Sequence, residues 1–254
     1  MDSHEPPLPT FLIIGAQKSA TRWLRLNLGL HPDVYSAPGE LEFFNNIERS
    51  EHGVAAYRAQ FEGWSGEPYV GEATPGYMFW RHDPRVVAGR IRDTVPDVRL
   101  IAILRNPVDR AHSAVVHHIE GGSLPAGAQV MDVVRRTPPE RDPLGIVSGG
   151  WYAASLEPYV EFFGDRLLVL LHDDADDDPR GVYDRALRHV GPAPDFVPAE
   201  LERVRFSYQQ RPSAEGRELT LDERRELYEF FADDILKLEK MTGRDLSLWE
   251  PDAW

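Results

Sequence analysis

The chain of 254 residues contains no cysteine, which excludes disulfides, cysteine-ligated zinc, iron–sulfur clusters and a thiol nucleophile. It also lacks any window near the roughly 18–20 apolar residues of a membrane-spanning helix. Positive charge is scarce: 28 Lys plus Arg stand against 42 Asp plus Glu, a formal net charge of −14. Non-specific nucleic-acid binding needs clustered cations, so this balance argues against a nucleic-acid partner. An anionic small ligand stays open, because a local pocket can oppose the global sign. Met1 to Thr10 is polar and proline-rich, without the basic and apolar regions of a signal peptide. The expectation is a soluble, cytoplasmic, globular protein with no membrane partner, long enough for one large α/β domain or two small ones.

What is present is a series of short apolar runs ending at polar turns. Phe11 to Ile14 stops at Gly15, Val98 to Leu104 stops at Arg105-Asn106-Pro107, and Leu167 to Leu171 precedes an aspartate run. Tyr69 to Glu72 is a weaker candidate. Such runs read as strands buried on both faces of a parallel sheet. Helical patterns lie between them, at Thr21–Leu30, Asp83–Thr94, Val108–Glu120, Trp151–Phe163 and Arg180–Val190. Leu227, Phe231, Ile235, Leu238 and Met241 predict one late helix, closed by Gly243. The alternation predicts a doubly wound α/β fold, mainly parallel, with helices on both faces. Ser36–Glu67 and Gly121–Gly150 read as irregular insertions of the kind that build the substrate side of a site.

Two strand-to-helix loops carry chemistry. In Gly15-Ala16-Gln17-Lys18-Ser19-Ala20-Thr21-Arg22, small residues precede a helix whose first N–H groups have no intrahelical partner. The helix dipole, Lys18 and the Ser19 and Thr21 hydroxyls suit a phosphate or sulfate. The bland alternative is an ordinary turn with a solvated lysine. The nucleoside-triphosphatase loop is excluded, because no glycine precedes the lysine. In Arg105-Asn106-Pro107 through Ser113, a guanidinium at a strand's C-terminal end and a hydroxyl two turns later can grip a second phosphate. The alternative there is a structural Arg105–Asp109 ion pair.

Together, in this order, the loops resemble the sulfotransferases that use 3′-phosphoadenosine 5′-phosphosulfate (PAPS). The first is similar to that family's 5′-phosphosulfate loop and the second to its 3′-phosphate segment. His31-Pro32-Asp33-Val34, Glu40-Leu41-Glu42-Phe43-Phe44, Glu72-Ala73-Thr74-Pro75-Gly76-Tyr77 and Thr242 to Trp249 resemble stretches of heparan-sulfate-type and bacterial members. The likeness covers most of the chain, so it implies a single P-loop-like domain over 1–254 behind a flexible tail of residues 1–9. Ala20 replaces the usual loop glycine, which is tolerable if that position needs no positive φ. Ala73 stands where heparan-type enzymes have a lysine. Their late Lys-Gly-Arg is represented by Glu215-Gly216-Arg217, with Arg211 a competing candidate. The dimerisation motif and histidine base of small-molecule cytosolic members have no counterpart.

The resemblance implies PAPS as cofactor, 3′-phosphoadenosine 5′-phosphate (PAP) as product, and a small-molecule or glycan acceptor. Lys18, Ser19, Ala20, Thr21, Arg22, Arg105, Ser113, Arg211 and Arg217 would bind the nucleotide, with Arg110 gathered nearby. Lys18 would stabilise the leaving phosphate and Glu40 would be the base, with Glu42 and Glu72 as rivals. Glu40 and Glu42 face one side if their stretch is extended. Tyr77 and Tyr152 are acceptor-cleft candidates beside Glu42 and Glu72; Trp80, Trp151 and other aromatics read as core. Asp173 to Asp178 beside His172 read as a solvated loop, and His117 and His118 as surface or packing residues; no metal site is expected. A soluble form suits a bacterial tailoring enzyme of secondary metabolism. The alternatives are a divergent P-loop kinase and a non-catalytic PAP-binding module.

Overall fold

The computed structural model describes residues 5–79, 83–137, 141–193, 195–199, 201 and 217–253. Five strands form one sheet: β1 Phe11–Gly15, β2 Val34–Ser36, β3 Tyr69–Ala73, β4 Arg99–Leu104 and β5 Leu167–Leu171. Their order is β2-β3-β1-β4-β5, and each neighbouring pair is parallel. Aliphatic strands need cover on both faces, and the period of two divides their side chains between two cores. Leu12, Ile14, Leu100, Ala102 and Leu104 enter one core with helices α4 Pro84–Thr94, α5 Pro107–Glu120 and α7 Tyr152–Phe163. Phe11, Ile13, Ile101 and Ile103 enter the other beneath α1 Thr21–Leu28 and α9 Pro179–Val190. The doubly wound α/β fold is therefore as the sequence predicts.

The topology places the site. From β1 the chain runs to β2 and β3 on one side, then crosses to β4 and β5 on the other. The carboxyl end of β1 is thus the switch point where ligands bind in open α/β sheets. The stretches that read as irregular hold short helices, α2 Ile47–Glu51, α3 Gly53–Ala59 and α6 Val130–Arg136. Ahead of β1, Arg58 donates to the Pro6 carbonyl at 2.9 Å and Pro9 is buried. Among the described residues, no helix is long and apolar enough to cross a membrane.

Two local expectations need correction. The aspartate run is helix α8 His172–Asp177, not a loop. Asp174 accepts from Arg185 at 2.7 Å and from Arg244 at 2.6 Å, and Asp173 accepts from the Trp249 indole at 2.7 Å. These carboxylates dock the C-terminal segment, so their partners are tertiary and no local pattern announces them. The late helix is two helices, α10 Leu221–Tyr228 and α11 Ala232–Thr242, with Gly243 closing the second at φ 65°. The break has tertiary causes: Trp151 donates to the Phe230 carbonyl at 2.9 Å, and Asp234 accepts the Ala153 and Ala154 amides at the start of α7.

Candidate active site

The loop from β1 to α1 is shaped by close approach. A Cβ on Gly15 would lie 2.7 Å from Met78 Cβ, so only glycine fits under the Pro75–Met78 turn. Lys18 and Ala20 both adopt positive φ, 70° and 68°. The tolerance proposed for Ala20 in place of glycine does not hold, because this position is left-handed and strains a non-glycine residue. Ala20 is the N-cap of α1 and no side chain caps that helix, whereas Asn106 Oδ1 takes the Val108 amide at the start of α5. Ser19 is fully buried, and its hydroxyl faces that of Tyr152. An uncapped helix start beside a buried hydroxyl fits the phosphate end of a nucleotide. Lys18 is half-buried, Thr21 is buried and Arg22 is exposed on the first turn.

The second loop rises from the adjacent strand. Arg105 and Ser113 are half-buried at the end of β4 and on α5. The alternative Arg105–Asp109 pair gives way to another partner: Asp109 accepts from Arg224 of α10 at 2.8 Å. Tyr152, expected in the acceptor cleft, is buried beneath the loop and donates to the Arg105 carbonyl at 2.8 Å. Arg110 is fully buried. It donates to the Gly145 carbonyl at 2.7 Å and also to the Ile146 carbonyl. Arg217 donates to the Ala128 carbonyl at 3.2 Å and to the Ala126 carbonyl, and its own carbonyl lies 3.0 Å from His112 Nε2. Arg211, Glu215, Gly216 and Trp80 lie outside the described residues.

The segment Ala37–Phe44 carries Glu40 to the mouth of the β1 crevice. Side chains from four directions grip its backbone. Arg25 donates to the Ala37 carbonyl at 3.1 Å, Arg49 to the Leu41 carbonyl at 2.5 Å and Arg90 to the Phe44 carbonyl at 3.0 Å. Thr74 Oγ1 accepts the Leu41 and Glu42 amides at 3.0 and 3.2 Å, and the Tyr77 hydroxyl accepts the Phe43 amide at 3.2 Å. Glu42 has φ 51°, so the stretch is kinked there, not extended. Both carboxylates nevertheless line one cavity of about 150 Å³, with Asn45, Met78, Phe79 and Arg110 on its other walls. Glu42 also lies 3.6 Å from Arg49.

The two candidate carboxylates differ in setting. Glu40 meets solvent, yet burial raises its pKa, Glu42 raises it further, and Arg25 and Lys18 partly offset this. Glu72 is completely buried behind the cavity and does not line it. Its carboxylate accepts from Tyr77 at 2.6 Å, Thr74 at 2.7 Å and Tyr57 at 3.2 Å. Burial pushes its pKa up to about 7, the three hydroxyls oppose the rise, and the Glu40 charge adds to it. Tyr77 is buried with it. The structure thus gathers Lys18, Glu40 and Glu42 at the crevice and sets Glu72, Tyr77 and Tyr152 behind its walls. Sequence reasoning missed Thr74 and Tyr57. The i, i+2 spacing of Glu72 and Thr74 on one strand face could have pointed to Thr74; nothing local pointed to Tyr57.

Residues 8–215 match the family model described as Sulfotransferase domain. A sulfotransferase from Alicyclobacillus acidocaldarius is 30% identical, with a TM-score of 0.80 over 96% of this chain and 99% of that one. The bifunctional heparan sulfate N-deacetylase/N-sulfotransferase 4 of Mus musculus is 29% identical over 204 residues, covering 74% of this chain and 23% of its own length. A mouse sulfotransferase complexed with PAP shares the fold at 14% identity and a TM-score of 0.58, over 96% of this chain and 92% of that one. The chain spans less than a third of the length of the first curated relatives it matches.

Proposed function

The chain belongs to the sulfotransferase family, and on that premise we propose that it moves the sulfuryl group of PAPS to a hydroxyl of a small-molecule or glycan acceptor. The observation that carries the reading is the β1 loop, with its uncapped helix start, buried Ser19 hydroxyl and Lys18 acting on the Glu40 carboxyl across the crevice. In this reading the α1 amides, Ser19, Thr21 and Arg22 hold the 5′-phosphate. Arg105 and Ser113 hold the 3′-phosphate, with Arg211 and Arg217 as further nucleotide candidates. Lys18 stabilises the charge that builds on the leaving phosphate oxygen. Glu40 takes the acceptor proton as the acceptor oxygen bonds to sulfur and the bond from sulfur to the phosphate oxygen breaks, releasing PAP. A raised pKa suits a base that must accept a proton near neutrality.

The cavity's described lining presents Glu40 and Glu42 together with Met78, Phe79 and Arg110, and Glu42 is paired with Arg49. The carboxylates disfavour a long sulfated polyanion and the apolar wall suits a ring-bearing hydroxyl compound, so this supports a small acceptor over a long sulfated glycan. Calorimetric titration with PAP in the absence of magnesium should give binding, followed by sulfonate transfer from PAPS across a panel of phenols, alcohols and glycans. Magnesium-dependent ATP binding with no PAP binding would make it a kinase. PAP binding without turnover on any acceptor would make it a binding module.

A further inference from the structure

We propose that the Glu72 carboxylate is a positioning residue for the cleft base, holding the Glu40 segment in place through the hydroxyls of Thr74 and Tyr77. The proposal rests on the reading of Glu40 as the base. Its foundation is a count of protons. Thr74 Oγ1 accepts two amides, Leu41 and Glu42, so its single proton is left to donate, and it goes to Glu72 Oε2 at 2.7 Å. The Tyr77 hydroxyl accepts the Phe43 amide, so its proton goes to Glu72 Oε1 at 2.6 Å. Tyr57 adds a third donor to Oε1 at 3.2 Å. Thr74 and Tyr77 therefore each point a proton inward at one carboxylate and turn lone pairs outward to the segment's amides, while Tyr57 adds its proton alone. The ionised carboxylate accepts on both oxygens and so sustains that orientation; its protonated form would bring a fourth proton into a ring of three donors.

The site has the rigidity the role requires. Glu72 lies in β3, beside β1 in the middle of the sheet, so the anchor is part of the scaffold and not of a loop. Tyr57 stacks on Phe43 at 4.3 Å between ring centroids, and Phe44 packs edge-on against Tyr57 and Tyr77. Aromatic packing thus clamps Phe43 and Phe44 while the hydroxyls clamp the amides on either side of Glu42. The groups facing the carboxylate are Tyr57, Thr74, Tyr77 and, through space, Glu40. Glu72 does not line the cavity, so it reaches the reaction only by placing Glu40.

Glu72→Gln keeps the shape but turns an amide N–H₂ toward one of the donors, so at least one hydroxyl must rotate and release an amide. The variant should lower kcat roughly 10–100-fold, the scale of about 1 Å of misplacement, while KM for PAPS and PAP affinity stay near wild type. Amide hydrogen exchange should quicken at Leu41, Glu42 and Phe43 and stay slow in β1 and β4. In a Glu40→Gln background, Glu72→Gln should add no further loss, because both act through one group. Should Glu72→Gln fail to fold, Thr74→Val should reproduce its kinetics and exchange, and Thr74→Ser, which restores the hydroxyl, should rescue both. Unchanged exchange at the three amides, or losses that multiply in the double variant, would overturn the proposal. Full turnover by Glu40→Gln alone overturns the base reading instead, and the two failures are told apart by the amides, which report the anchoring whatever the base.

Discussion

Tyr77 donates its hydroxyl proton to Glu72 Oε1 at 2.6 Å and accepts the Phe43 amide at 3.2 Å, so one phenol ties a buried strand carboxylate to the segment bearing Glu40. Burial places the Glu72 pKa at about 7, against 4.5 for an ordinary glutamate. Between those values the folded chain binds a proton that the unfolded chain does not. That contribution favours folding fully below about pH 4.5 and is lost as pH rises through about 7. Glu72→Gln has no such proton. The stability difference between variant and wild type, followed by denaturant titration across this window, should shift by about 3 kcal/mol, with wild type losing ground at higher pH. A difference that is flat with pH would contradict the assignment.

Glu42 shares the cavity with Glu40 and its negative charge adds to the rise that burial produces in the Glu40 pKa. Neutralising it with Glu42→Gln should move the acid limb of the kcat/KM profile to lower pH, since Glu40 then ionises more readily. Glu40→Gln should remove most turnover, leaving PAP affinity intact. An acid limb that ignores Glu42→Gln would place the titrating base elsewhere.

Lys18 projects from a loop residue at φ 70° beside Glu40. Lys18→Ala should lower the rate of sulfonate transfer at saturating PAPS by roughly 10²–10³-fold, as loss of one charge-stabilising donor does in other active sites. PAP binding measured by calorimetry should weaken far less, because the α1 amides and Ser19 remain. Wild-type turnover in this variant would remove Lys18 from the mechanism.

Ala20 holds φ 68° at the N-cap of α1, where its Cβ is strained. Ala20→Gly relieves the strain and should raise stability by about 0.5–1 kcal/mol, seen as a higher midpoint in urea. A lower midpoint would mean that the methyl group packs more favourably than the left-handed backbone costs.

Part of the active site was legible because its signal is local. Gly15, Lys18 and Thr21 sit between an aliphatic run and a helix start, and that juxtaposition suits an anion before any fold is known, though an ordinary turn has the same pattern. Arg105 and Pro107 mark the same turn on the adjacent strand. Glu40 could be picked out only through the resemblance, because a single glutamate in an irregular stretch carries no pattern of its own. Tyr152 and Tyr77 misled the reading: an aromatic near a site can line it or support it, and side-chain direction decides which. The late helix misled in the same way, because the break at 229–231 follows from Trp151 reaching the Phe230 carbonyl.

The layers of the molecule and the candidate anion loop follow from local sequence alone. Strand runs, helix periods and the Gly15–Thr21 turn depend on neighbours within a few residues, and those interactions are written in order along the chain. The tertiary fold alone separates two of the candidate glutamates. Glu40 and Glu72 are the same residue type, yet one meets solvent beside Lys18 and the other is enclosed by Tyr57, Thr74 and Tyr77. Burial and the direction of three hydroxyl protons set them apart, and both arise from contacts between segments far apart in the chain.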